Sequence, residues 1–162
     1  MAGYGTDEAF DAWLASNGLT LPDGAPLPAA LRQVGSTHVD AHTFPGAPTG
    51  GFAQERAWPR VGATAYCQAI PSDVIPVAIE NASYAAGYFE AVNAGALTTR
   101  SSADQRLKRK RNRVEGAVDV ETEYFDNGAD GAAGEAVTIP MVEGLLAPFL
   151  TSASAGASIF IV

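Results

Sequence analysis

Few residues in this chain have types and spacings suited to chemistry. His38-x-Asp40-x-His42 sets two imidazoles four residues apart, one turn of a helix, where both rings can reach one zinc ion. No third ligand follows at a useful spacing and there is no HExxH pattern, so a partly exposed helix face explains the pair better. Cys67 is the only cysteine. With two histidines in the chain it could be a nucleophile beside a base. No local motif surrounds it, and a lone cysteine commonly packs as a small buried apolar residue. A single cysteine also excludes an internal disulfide and a cysteine zinc cluster. The chain has no GxSxG, no glycine loop leading into Lys-Ser/Thr and no GxGxxG. The expectation is a protein that is not an enzyme and holds neither metal nor cofactor.

Charge is the stronger signal. Seven of the ten basic residues are Arg100, Arg106, Lys108, Arg109, Lys110, Arg111 and Arg113. Asp104 is the only acid among them, so this window carries +6, while the other three basic residues meet seventeen acids and carry −14. The whole chain, at −8, is too acidic for a general nucleic-acid binder. Only the cationic window would tolerate phosphates, and contact there would be without sequence preference. The window has no interleaved aromatics, so base stacking is not expected. Two other readings stand beside nucleic-acid contact: a solvated strand balanced by Asp119, Glu121 and Glu123, and a protein-docking surface.

A second oddity closes the chain. Ser158-Ile159-Phe160-Ile161-Val162 follows a spacer of small residues. It reads either as an edge strand of the protein's own sheet or as a strand donated to a partner. The last twelve residues can reach roughly 40 Å when extended. A free apolar tail is an aggregation hazard, which favours a partner.

The elements that must position these residues are short. At 162 residues the chain is one domain, long enough to remove roughly 70% of its unfolded surface from water. Seventeen glycines and ten prolines make one residue in six a breaker. No run of 18 apolar residues exists, and the acidic start MAGYGTDEAF is no signal peptide, so a soluble, intracellularly made protein without membrane contact is expected. Helices are predicted over 6–17, 28–42, 73–95 and 139–150. The first is capped by Thr6 and stopped by Gly18, with Phe10, Trp13 and Leu14 as its stripe. The second opens on Pro28 and turns Leu31, Val34 and His38 to one side. The third starts at Ser72 or Asp73, with Ile75, Ile79, Ala82, Ala86, Phe89 and Val92 or Asn93 as its stripe. Pro148 should end or kink the fourth. Residues 43–57 are too rich in Pro and Gly for regular structure, and 58–71 read as an ordered loop with extended pieces. A β-hairpin is predicted over 106–125, turning at Glu115-Gly116, which sets Lys110 opposite Glu121 and Lys108 opposite Glu123. Residues 1–150 form the domain and 151–162 an arm.

Four pieces of the chain resemble a tailed-bacteriophage head–tail adaptor family, also called connector or head-completion proteins. Its members are often auto-named "DnaT-like ssDNA-binding protein". The pieces are Thr6-Asp-Glu-Ala-Phe-Asp-Ala-Trp13, then Arg56-Ala-Trp-Pro-Arg60 with Ala69-Ile-Pro-Ser-Asp-Val-Ile-Pro76, then Val118-Asp-Val-Glu-Thr-Glu-Tyr124, and Met141-Val-Glu-Gly-Leu-Leu-Ala-Pro-Phe-Leu150 with its β-forming end. The resemblance implies a mainly α fold: a small helical bundle with a protruding β-hairpin and an extended C-terminal arm. It implies a structural virion protein at the head–tail neck, a ring of about twelve neighbouring copies. That ring would dock on the portal protein, seat a stopper or tail-completion protein and surround double-stranded DNA. In that reading Ser158, Ile159, Phe160, Ile161 and Val162 bind the portal. Arg106, Lys108, Arg109, Lys110, Arg111 and Arg113 meet a neighbouring subunit or DNA. Trp58, Pro59, Arg60, Ile70, Pro71 and Pro76 are the structural motif. The alternative is a single-stranded-DNA-binding protein that uses residues 100–113.

Overall fold

A computed structural model describes residues 2–97, 109–113, 119–123 and 137–150, with the backbone alone for 109–113 and 119–123. The described chain is mainly helical, with four α-helices and small two-stranded antiparallel sheets. None of the described helices is long and apolar enough to cross a membrane.

Helix α1 spans Asp7–Ser16. The Thr6 hydroxyl accepts from the Ala9 amide at 3.1 Å, and Asp7 and Glu8 place negative charge at the positive end of the helix. Phe10, Trp13 and Leu14 are its buried side. Helix α2 spans Pro28–Asp40, two residues shorter than predicted, and its inner face is not the predicted one. Leu31, Arg32, Gly35, Ser36 and Val39 are buried, while Val34 and His38 are only half-buried.

The reason for that rotation is helix α3, Val77–Val92. A Cβ on Gly35 would sit 2.0 Å from the Ser83 carbonyl oxygen, and one on Gly87 would sit 2.7 Å from that of Leu31. The two backbones therefore touch through a pair of glycines, and whatever flanks Gly35 is buried with it. Helix α3 begins at Val77 rather than near residue 73. Pro76 disfavours helical geometry at Ile75, so the helix starts behind it, with Pro76 as an N-cap that makes no side-chain bond. Ile79, Ala82 and Ala86 of the predicted stripe are buried; Phe89 is half-buried, and Val92 and Asn93 are exposed. The Glu90 carboxylate, itself buried, accepts the Gly95 and Leu97 amides at 2.8 and 2.7 Å and so fixes the exit.

Between α2 and α3 the chain forms β1 (Ala47–Pro48), β2 (Arg60–Val61), β3 (Thr64–Ala65) and β4 (Gln68–Ala69). β1 pairs with β2 and β3 with β4, both antiparallel. A 3-10 turn occupies Gly51–Ala53. Trp58, 1% exposed, anchors this connection edge-on between Phe44 and Phe149 at ring distances of 5.6 and 6.0 Å. Helix α4 spans Pro140–Leu146 and buries Val142 and Leu146. A 3-10 turn over Ala147–Phe149 follows, so the α-helix stops before Pro148.

Strands β5 (Arg109–Arg113) and β6 (Asp119–Glu123) form an antiparallel pair inside the predicted hairpin. Their register differs by one residue from the predicted one. Arg109 is opposite Glu123, Arg111 opposite Glu121 and Arg113 opposite Asp119. The predicted register opposes only two cations to acids, with Asn112 across from Asp119. The observed one opposes three, and opposite charges at facing positions favour the pairing.

Candidate nucleic-acid interface

Three arginines lie outside the cationic window, and the fold engages each of them. Arg32 donates through Nε and Nη2 to Asp7 Oδ1 at 2.8 and 2.7 Å, and through Nη1 to the carbonyls of Gly3, Tyr4 and Gly5. Arg56 donates to Asp40 Oδ2 at 3.1 Å, to the Ala2 carbonyl at 2.8 Å and to Thr37 Oγ1 at 3.2 Å. Arg60 donates to the carbonyls of Pro45, Ala57, Phe44 and Gly46 over 2.7–3.1 Å. Five fixed donors in one plane suit this clamping of turning backbone.

Asp40 is the centre of a second network. The Tyr4 hydroxyl donates to Asp40 Oδ1 and accepts from the Trp58 amide at 3.1 Å, while the Ala57 amide donates to the same carboxylate oxygen at 3.1 Å. Burial, and then the adjacent Asp40 carboxylate, hold the Tyr4 phenol proton far above its ordinary range. The N-terminal segment, α2 and the Trp58-Pro59-Arg60 turn are thus locked to one another.

The remaining candidate residues separate. His38 and His42 meet edge to face at 5.6 Å. His42 Nδ1 faces the carbonyls of His38 and Val39, and its Nε2 faces Glu143 Oε1 at 3.1 Å, tying α2 to α4. Among the described residues no group of three or more His, Cys, Asp or Glu is placed to hold a metal ion. Cys67 is exposed, contrary to the buried position expected of it. The cause is local: Tyr66 and Cys67 are the two central residues of the β3–β4 turn, with φ of 52° and 63°. Ile70 donates its amide to Ala63 O at 3.0 Å, the Pro71 carbonyl accepts from Val74, and Pro76 opens α3. Arg109, Lys110, Arg111 and Arg113 lie in β5. Arg100, Arg106, Lys108 and the terminal Ser158–Val162 lie outside the described residues.

The other seven basic residues of the chain all fall within 100–113. Residues 3–162 match the model of a family described as "Putative DnaT-like ssDNA binding protein". The chain belongs to this family. No curated protein and no solved structure matches it.

Membership in the DnaT-like family corrects the head–tail adaptor resemblance. The matched range contains all four motifs that carry that resemblance, and the family has a single-stranded-DNA description, not an adaptor one. The portal protein, the ring of neighbouring copies, the stopper and the double-stranded DNA of a channel are withdrawn with it as partners. The physical reason is visible at Trp58 and Arg60. Those motif residues pack and clamp backbone. Packing residues identify a fold and say little about what the fold assembles with.

Sequence reasoning also missed two rings. Phe52 and Tyr66 are 106% and 79% exposed, while every other described aromatic is buried or half-buried. Phe52 follows Gly50-Gly51 in a glycine- and proline-rich stretch, and Tyr66 follows three small residues. A lone ring amid such residues has no apolar stripe to join, and this is the signal that could have found them.

Proposed function

We propose that this chain binds single-stranded DNA, without catalysis, through phosphate contacts made by the cationic segment 100–113. The observation that carries the reading is the engagement of Arg32, Arg56 and Arg60 within the fold of a DnaT-like family member. An acidic body repels phosphate, so the phosphate chain would be held along the segment. In this reading the helices form a small bundle that carries the β5–β6 hairpin, and residues 151–162 form an extended arm.

The test is an anisotropy titration of a labelled oligothymidine strand at about 50 mM salt. The wild-type chain is compared with a variant in which Lys108, Arg109, Lys110 and Arg111 are all changed to Gln. Affinity should fall at least tenfold in the variant, and equally for strands of different sequence. Equal affinity of the two proteins would overturn the segment as the contact.

A further inference from the structure

We infer that Phe52 and Tyr66 are stacking platforms for the bases of a single strand. This inference rests on the single-stranded-DNA reading and adds the residues that grip bases. Both rings stand on the connection between α2 and α3, each on a turn. Phe52 sits in the 3-10 turn over Gly51–Ala53, and Tyr66 at the first central position of the β3–β4 turn. That turn position, with φ of 52°, ordinarily belongs to Asn, Asp or Gly. A tyrosine there accepts backbone strain and in return holds a planar ring out into solvent.

Charge favours the same place. Between residues 41 and 72 the chain has Glu55 as its one acid, against Arg56 and Arg60, a net of +1. Residues 1–40 carry five acids and one arginine, a net of −4, and residues 73–97 carry three acids and no base. The hydrogen-bond partners of Arg60 are all carbonyls, and among the described residues no carboxylate forms an ion pair with it. The connection is thus the part of the helical body that repels a phosphate chain least, and it carries both exposed rings. Bases of any identity have a π-face, so stacking here would add affinity and no sequence preference.

The experiment compares an oligothymidine strand with an abasic strand of equal length and charge, on the full chain. The wild type should bind the abasic strand about tenfold more weakly. A Phe52→Ala, Tyr66→Ala variant should lose that factor on oligothymidine and bind both strands alike, with an unchanged salt dependence. Tyr66→Phe, which keeps the ring, should behave as wild type. The strand comparison needs no mutant, so a misfolded variant cannot obscure it. Equal binding of both strands by the wild type, with binding lost in the four-Gln variant, would overturn stacking and leave the phosphate reading standing. Binding of neither strand would overturn both.

Discussion

Tyr4 shows how one side chain can set the fold's response to pH. Its hydroxyl donates to Asp40 and accepts from Trp58, joining three segments that are distant in sequence. Burial and the Asp40 carboxylate raise the folded phenol above its ordinary value of 10. Tyr84 shifts the same way, by burial first and then by the charge of Glu80. A folded-state value above the unfolded one gives stability that is whole below pH 10 and declines above it, because the unfolded phenol ionises while the folded one keeps its proton. Urea unfolding between pH 7 and 11 should therefore show a falling midpoint above pH 10. Tyr4→Phe should lower the midpoint at pH 7, at a cost of about 1–3 kcal/mol, since Asp40 and the Trp58 amide each lose a partner. It should also flatten the alkaline decline, leaving the smaller part due to Tyr84. An alkaline decline equally steep in the variant would show that Tyr4 is not its source.

At the scale of elements the tightest constraint is the meeting of α2 and α3. A methyl group on Gly35 has no side chain to push aside; it meets the Ser83 carbonyl oxygen at 2.0 Å. Gly35→Ala must separate the helices, and should cost about 2–3 kcal/mol and several degrees of thermal midpoint. Gly144→Ala on α4, where a Cβ would meet nothing within 4 Å, should do no such harm. This contact also marks where the sequence stopped being legible. Helix α1 could be read to within a residue at each end, because its cap, its acids and its Phe10-Trp13-Leu14 stripe are local signals. The face of α2 could not, because Gly35 chooses it by what stands opposite, fifty residues away. The β5–β6 register differs by one residue from the expected one because Glu115-Gly116 is a local turn signal that takes no account of the charges facing each other across the strands. A slip of one residue changes which basic residues share a side of the pleat with the acids. The cationic half of the candidate site was legible as a run of charges. Its aromatic half was not, because the exposure of Phe52 and Tyr66 is settled by the surrounding fold and leaves no periodic trace.

Across the whole molecule, the distribution of charge determines how strongly DNA binding should depend on salt. The window 100–113 holds seven cations, but the register sets Arg109, Arg111 and Arg113 opposite Glu123, Glu121 and Asp119. Opposite charges at facing positions of a strand pair attract, so an acid there would compete with phosphate for the cation across from it. Lys110 is opposite the uncharged Thr122, and Arg100, Arg106 and Lys108 lie outside the described residues. Single-strand binding loses about 0.7 in log–log slope for each phosphate neutralised, so four phosphate contacts give a slope of about −3 and seven a slope of about −5. The wild-type chain should therefore fall near −3 when affinity for oligothymidine is measured across a salt series. Glu121→Gln with Glu123→Gln removes the competitors of Arg111 and Arg109. That change should tighten binding several-fold at low salt and steepen the slope to about −4. A wild-type slope already near −5, unmoved by the two substitutions, would mean that the arginines reach phosphate despite the acids across the strand. The hairpin would then be a pure cationic arm. The expected result would make it a partly neutralised one, in which the acidic strand sets how tightly DNA is held.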